Sequence, residues 1–302
     1  MKKLIGVIIF LILSVNILFA ENKPYTLNGD VRVKSQSNWK QDYEHRLKCE
    51  ATIGLDYRFL DAWMQTKLKV SNPLESTETS ITQLEIQQLL IGYSLFSGEN
   101  SFLFIEMGRN KLKTLFESKL EFDNHFNGLN VSYSYETNNG CIIIHGGPHI
   151  INSDMDHYGF IGEIIVANPL ATNFIMKYSI NDWTNHNQYT TNYAFLITQA
   201  LCKYQLNPQI EIYGAYLRNH KAKYCANGFY IGATYGAISK AKDMMVDLIY
   251  QYIQCQAVPQ IDRSGIGTGI QLKTAYAVTD NFSIQGKICT TKCAELSAIY
   301  KW

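Results

Sequence analysis

The sequence predicts an all-β fold, a transmembrane antiparallel β-barrel of about 16 strands, within a range of about 14–18. Three observations lead to this class. Apolar and polar residues alternate along the chain beyond residue 20, the connections between the alternating segments are short and long in turn, and the last segment ends on an aromatic residue, Trp302. No segment of helical period interrupts the pattern, so we expect a single domain at 21–302.

The first 20 residues have the composition of an export signal. Lys2 and Lys3 are followed by the apolar run Leu4–Leu13, and Ala20 offers a small residue at the cleavage point. We therefore expect a signal peptide at 1–20. The alternative is a transmembrane helix, which is disfavoured because an apolar core of about 15 residues is shorter than the roughly 20 that span a bilayer.

Charge and composition restrict the partners of the mature chain. Loss of Lys2 and Lys3 lowers the 27 basic residues to 25 against 26 acidic ones, a formal net charge of −1, and no basic run is present. We therefore expect no nucleic-acid partner. The 20 Tyr and 14 Phe suit strands and the aromatic girdles of a barrel in outer-membrane lipid. A secreted soluble β-protein is the alternative with a similar composition.

The second predicted strand shows the alternation most clearly. Between Leu47 and Phe59, every odd-numbered residue is apolar and every even-numbered residue is polar or glycine. A soluble β-sandwich has the same period, but the predicted strands are about 9–14 residues long, which is longer than the usual 5–6 of globular sheets and suits a tilted crossing of a bilayer. A membrane barrel is therefore favoured.

The other elements follow the same period in chain order, although the fourth and tenth are less regular. The predicted strands are 25–35, 45–58, 61–71, 82–94, 101–109, 128–136, 140–147, 157–167, 171–181, 191–206, 209–219, 227–238, 243–256, 264–278, 282–289 and 293–302. Tight turns are predicted at 59–60, 96–100, 137–139, 168–170, 207–208, 239–242 and 279–281, and the connections between them are mostly longer. Short turns at one end and long loops at the other are typical of outer-membrane barrels.

The last strand carries a further signal at the C-terminus. Ala294, Leu296, Ala298, Tyr300 and Trp302 form its apolar face. A terminal amphipathic strand that ends on an aromatic residue resembles the signal recognised by the outer-membrane barrel assembly machinery. We therefore expect Tyr300 and Trp302 to act as an assembly signal in a bacterial outer membrane.

Strand number, loop layout and a short motif resemble the general diffusion porins of Gram-negative bacteria. The strand that enters the longest loop, the third at 110–127, ends Met107-Gly108-Arg109-Asn110, similar to the Gly-Arg-Asn with which porin strands enter that loop. The resemblance implies a homotrimer, a long third loop folded into the lumen, and a channel for passive diffusion of small hydrophilic solutes and ions, with no cofactor. The acidic Pro-Glu-Phe-Gly-Gly segment of enterobacterial porin loops is absent.

Alternation places basic side chains on the lumen face of the first three strands, and the third loop adds charges of both signs. A barrel of 16–18 strands leaves an aqueous channel. Opposed charges across that channel would produce a transverse field, and rings of one sign would set the ion preference. The predicted pore-lining residues are Arg32, Lys34, Arg46, Lys48, Lys67 and Lys69 on the wall, and Arg109, Lys111, Lys113, Glu117, Glu121 and Asp123 at the third loop.

No catalytic or metal-binding residues are predicted. An outer-membrane hydrolase is one alternative, but the chain has no Gly-x-Ser-x-Gly motif and no residue marked as a nucleophile. Asp154, Asp156 and His157 could bind a metal, although a hydrated loop is the simpler interpretation of this cluster. A surface adhesin or structural barrel is the other alternative, and it would need longer loops.

The chain has 7 cysteines, which is unusual for an exported barrel. In an oxidising compartment an odd number leaves at least one without an intramolecular partner. Cys289 and Cys293 flank the last short loop with equal parity, so a disulfide across this hairpin is predicted, while Cys225 and Cys255 lie in or near the sixth and seventh loops. This usage is similar to that of envelope proteins crosslinked by disulfides in the chlamydia-like bacteria, which suggests such a source.

Overall fold

The computed structural model describes residues 24–38, 44–73, 82–111, 125–150, 158–168, 173–183, 195–258, 267–290 and 293–302. The strands are β1 (Tyr25–Asn38), β2 (Glu44–Phe59), β3 (Ala62–Pro73), β4 (Gln83–Ser97), β5 (Ser101–Lys111), β6 (His125–Thr137), β7 (Gly140–Ile150), β8 (Tyr158–Ala167), β9 (Phe174–Trp183), β10 (Phe195–Asn207), β11 (Ile210–Asn219), β12 (Asn227–Tyr235), β13 (Met244–Ile253), β14 (Gly267–Ala277), β15 (Phe282–Cys289) and β16 (Cys293–Lys301). The all-β class and the sixteen predicted strands are confirmed, with boundaries that differ by a few residues.

The strands close into one antiparallel barrel. Each strand pairs with its neighbours in sequence, and β1 completes the ring by pairing with β16 from Asp30↔Lys301 to Asn38↔Cys293. Closure gives every strand a partner on both sides, so no edge is left without hydrogen bonds. In the described part of the chain, no helix is long and apolar enough to cross a membrane.

The outer surface of the ring is apolar. On β12, Phe229 and Ile231 point outward and are 41% and 60% exposed, whereas Tyr230 between them points inward and is 1% exposed. Large apolar side chains are exposed in the same alternating way on the other strands. This arrangement reverses that of a soluble protein and suits lipid outside and polar surroundings inside.

Short and long connections lie at opposite ends of the barrel, as the sequence predicts. We name the end where β2 joins β3 and β10 joins β11 the turn end, and the opposite end, where β11 joins β12, the loop end. Side chains close the turns: Asn207 Oδ1 accepts hydrogen bonds from the N–H groups of Gln209 and Ile210 at 2.9 Å each. Such Asx turns fix where each strand reverses, and hence the register of the hairpin.

One extra residue explains the weak alternation of β4. The register between β3 and β4 shifts from the pair Lys67–Gln88 to the pair Leu68–Ile86, which leaves Gln87 as the residue of a β-bulge. Because a bulge reverses the parity of the residues beyond it, the apolar residues on both sides of Gln87 reach the outer face.

Candidate functional site

The inner face of β16 and β1–β3 carries a cluster that we name the charged wall. Glu50 lies between two cations, with its Oε1 2.8 Å from Nζ of Lys69 and 3.1 Å from Nζ of Lys48. Across the seam of the ring, Glu295 Oε2 lies 2.8 Å from Nζ of Lys34. The charged wall consists of Arg32, Lys34, Arg46, Lys48, Lys67, Lys69, Glu50 and Glu295.

Acidic residues separate like charges within this wall. Lys34 and Lys48 are directly opposite in the register of β1 and β2, an arrangement that repels when it is not compensated. Glu295 pairs with Lys34 and Glu50 pairs with Lys48. Glu295 reaches the wall only through closure of the ring, so its role could not be read from β1–β3 alone. Within the charged wall basic residues outnumber acidic ones, six against two, while Asp30 and Asp56 lie on the same inner face nearer the turn end.

The strand that enters the third loop is described as far as Lys111. Gly108 has a φ of 139°, and a Cβ at this position would overlap the carbonyl oxygen of Leu89, so only glycine fits. Arg109 pairs with Leu89 and is partly buried, with its Nε enclosed, and its place at the constriction stays a prediction. The side chain of Lys111 and the residues Lys113, Glu117, Glu121 and Asp123 lie outside the described residues, so the inward fold of this loop stays a prediction.

A buried ionic cluster spans the inner face of β7, β8 and β9. Glu163 Oε2 lies 2.6 Å from Nε2 of His145, and its Oε1 lies 3.0 Å from Nζ of Lys177. The Lys177 contact is an ion pair by distance but lacks hydrogen-bond geometry. The Glu163 and Lys177 side chains are 1% and 5% exposed, so each charge depends on the other. Sequence reasoning missed the cluster, because it requires the register of three strands.

The inner face of β10–β13 carries a cluster of large apolar side chains, which we name the apolar wall. It consists of Phe195, Ile197, Leu201, Tyr213, Leu217, Tyr230, Ile249 and Ile253, each at most 5% exposed. The chain beyond the end of β13 contributes Ala257 and Val258 to the same cluster, and these residues are 0% and 2% exposed. The chain after β13 therefore folds inward over this wall at the loop end.

Polar groups embedded in the apolar wall bond to one another. The Tyr213 hydroxyl donates to Asp247 Oδ1 at 2.6 Å, and the Thr234 hydroxyl donates to the same oxygen at 2.8 Å. Gln199 Nε2 donates to the Tyr230 hydroxyl at 3.3 Å. Because most of these groups are paired with one another, this side of the interior offers few of them to water. The buried Gln199 Oε1 is the exception among them, since it accepts no hydrogen bond from a described residue. Apolar residues on both faces of the tenth predicted strand were the available signal for this wall.

The ends of the last two strands hold the remaining predicted sites. Cys289 and Cys293 are directly opposite in the register of β15 and β16, and Gln271 Nε2 donates a hydrogen bond to Cys289 Sγ at 3.4 Å. The disulfide between them stays a prediction. Tyr300 is 43% exposed on the outer face, and Trp302 exchanges backbone hydrogen bonds with Gly29 at 3.3 and 3.1 Å.

A metal site does not emerge from the described ranges, where no three His, Cys, Asp or Glu residues lie close enough together to hold an ion. Asp154, Asp156 and His157 lie outside those ranges.

The closed sixteen-strand ring with an apolar exterior defines the class: it is the porin-type barrel fold, as the sequence predicts. OprB of Pseudomonas putida has a similar structure, with a TM-score of 0.63, 10% identity, and coverage of 92% of this chain and 94% of that chain. OmpF of Salmonella typhi has a TM-score of 0.62, 10% identity, and coverage of 92% and 97%. A mutant of Rh. blastica porin has a TM-score of 0.56, 10% identity, and coverage of 92% and 100%.

These similarities are similarities of fold. No family model matches the sequence, and no curated protein matches it.

Proposed function

We propose that this chain forms a water-filled channel in a bacterial outer membrane for passive diffusion of small hydrophilic solutes and ions. The supporting observation is the closed ring of sixteen strands with an apolar exterior and the charged wall inside. Side chains fill the interior of an 8-stranded barrel, but barrels of 16–18 strands leave an aqueous channel. The sequence-level resemblance to diffusion porins supports the same conclusion, and we propose no catalytic activity.

The conducting path in this proposal follows the charged wall rather than the apolar wall. Each residue of the apolar wall is at most 5% exposed, and Ala257 and Val258 belong to the same buried cluster at the loop end. The excess of basic residues on the charged wall favours anions mildly. If the third loop folds inward, Glu117, Glu121 and Asp123 face these bases and create a transverse field across the constriction.

The remaining expectations from the sequence concern biogenesis and assembly. Residues 1–20 direct export and are removed, the barrel assembly machinery recognises Tyr300 and Trp302, and three copies form a homotrimer. A disulfide joins Cys289 to Cys293, and their direct opposition in the register supports this pairing.

The test of channel function is the conductance of purified, folded protein in planar bilayers, together with swelling of proteoliposomes in sugars of increasing size. Discrete steps and size-dependent swelling are expected. The heat-denatured protein is the control. Silence from protein that is folded and inserted would contradict the channel and favour a structural or adhesin barrel, and hydrolysis of ester or peptide substrates would favour the hydrolase alternative.

A further inference from the structure

Two cysteines meet at the loop end of the barrel, outside the strands. Cys225 lies in the connection between β11 and β12, and Cys255 lies just beyond the end of β13. Both residues are exposed, and their thiols are in hydrogen-bonding contact. The charge interaction with Cys255, together with this hydrogen bond, raises the pKa of the Cys225 thiol above its usual value.

Backbone hydrogen bonds hold the two cysteines together. The N–H of Gln254 donates to the carbonyl of Asn227 at 3.1 Å, and the N–H of Gln256 donates to the carbonyl of Cys225 at 3.0 Å. The ladder between β12 and β13 thus continues past the ends of both strands and brackets Cys255. These backbone bonds hold the segment that carries Cys255 beside the segment that carries Cys225.

Cys255 also begins the stretch of chain that folds into the barrel. Asn219, 0% exposed on the inner side of β11, donates from Nδ2 to the carbonyl of Gln256 at 2.8 Å. The N–H of Ala257 donates to the carbonyl of Gln254 at 3.0 Å, which closes a turn and directs Ala257 and Val258 onto the apolar wall. The thiol pair therefore stands at the outer end of the inward-folded segment 254–258.

We propose that Cys225 and Cys255 form a disulfide that fastens segment 254–258 over the apolar wall and so narrows the loop-end mouth of the barrel. The narrowing rests on the proposed channel function, whereas the disulfide itself does not. The reaction is thiol–disulfide exchange with an envelope oxidoreductase in its disulfide form. The S–S bond forms between the two cysteines, and the oxidoreductase takes up their two electrons and two protons and leaves as a dithiol.

The disulfide is tested by peptide mapping of protein taken from the outer membrane. Thiols are blocked before and after reduction, and the digest is analysed by mass spectrometry. A crosslinked peptide joining Cys225 to Cys255 is expected in wild type and in Cys202→Ser, which changes an exposed cysteine of β10, and is expected to be lost in Cys225→Ser and Cys255→Ser. Alkylation of both residues without reduction, or a crosslink between two copies of the chain, overturns the proposal.

The narrowing is tested by single-channel conductance with a reductant on the loop side. Conductance of wild type and Cys202→Ser is expected to rise on reduction, and Cys225→Ser is expected to start at the higher value and not to respond. A mapped crosslink with no change on reduction overturns the narrowing and leaves the disulfide standing. Silence of all variants overturns the channel, and with it the narrowing, while the mapping still decides the disulfide.

Discussion

At the scale of single residues, glycines decide where large side chains can lie. A Cβ at Gly29 would overlap the indole ring of Trp302, and a Cβ at Gly92 would overlap the indole ring of Trp63. Gly29 lies at the seam where β1 meets the last residue of the chain, so the indole ring of Trp302 packs directly against this glycine. The space left by a missing side chain thus helps to close the ring.

Substitution Gly29→Ala is expected to destabilise the barrel by about 1–3 kcal/mol, because the new methyl group must displace the ring of Trp302. The matched control is Gly214→Ala on β11, where the nearest atoms to an added Cβ are 3.6 and 4.0 Å away. The measurement is the temperature at which the folded form shifts to the unfolded form on a gel. Equal transition temperatures for the two variants would contradict the role of the Gly29–Trp302 contact.

Asp243 organises the turn before β13 and makes its stability depend on pH. The Ser239 hydroxyl, at 2.7 Å, and the N–H groups of Ser239 and Lys240, at 2.9 Å each, donate to its Oδ2 and hold the pKa of Asp243 below its usual range. Because the folded-state pKa lies below the unfolded one, the carboxylate stabilises the turn above the unfolded pKa. This contribution is lost as the pH falls through the folded pKa.

We therefore expect Asp243→Asn to unfold at a lower temperature than wild type near neutral pH, and the difference to shrink below about pH 4. Thermal unfolding at several pH values measures this. The control is Glu99→Gln in an exposed turn, which should leave the transition unchanged. A difference between wild type and Asp243→Asn that persists at the lowest pH would argue against the charged hydrogen bonds as its cause.

At the scale of strands, charges buried on the inner face bind neighbours together. His145 and Glu163 are directly opposite in the register of β7 and β8, and Lys177 of β9 completes the ionic cluster. Strands of a barrel are already joined by backbone hydrogen bonds, so the cluster adds a second, specific constraint on their register.

Removing the carboxylate is expected to cost up to about 3–5 kcal/mol, because Glu163→Gln leaves the buried ammonium of Lys177 without this counter-charge. Urea unfolding of the detergent-solubilised protein measures the effect. Glu136→Gln, an exposed residue at the turn end of β6, is the control and should change stability by less than about 0.5 kcal/mol. A Glu163→Gln protein as stable as the control would show that the cluster does not contribute.

At the scale of the whole barrel, the interior is divided between the charged wall and the apolar wall. β4–β9 separate the two walls on one side of the ring, and β14 and β15 separate them on the other. One wall offers ionised groups to water, and the other consists of buried apolar side chains that form one cluster with Ala257 and Val258. The positive excess of the charged wall sets the sign of the proposed ion preference.

Reversing two of these charges is expected to shift the ion preference toward cations. In Lys48→Glu, Lys67→Glu, the cation-to-anion permeability ratio should rise by on the order of twofold or more, since four units of charge change on the wall. The reversal potential in a salt gradient measures this ratio. Lys240→Glu, Lys242→Glu in the connection before β13 is the charge-matched control at the turn end. Equal reversal potentials for the two double variants would place Lys48 and Lys67 away from the conducting path.

The predicted and observed structures agree on the features that depend only on residues close together in the sequence. Period-2 alternation between Leu47 and Phe59 is enough to separate the inner from the outer face, because side chains of a strand point to opposite sides in turn. Turn residues such as Asn207 mark the reversals, and alternation with reversals gives the strand number. Alternation alone could not locate the bulge at Gln87, because the register with β3 decides which residue of β4 has no pairing partner.

The sequence by itself determined the all-β class, the sixteen strands, the apolar exterior and the basic residues of β1–β3. Only the tertiary structure decided which residues distant in sequence meet: Glu295 with Lys34 across the seam, Glu163 with His145 and Lys177, and, at the loop end, Cys225 with Cys255. The physical reason is the separation in sequence of the residues that interact. Alternation and turns depend on residues a few positions apart, whereas each of these contacts joins different strands or loops and exists only once register and ring closure have placed them side by side.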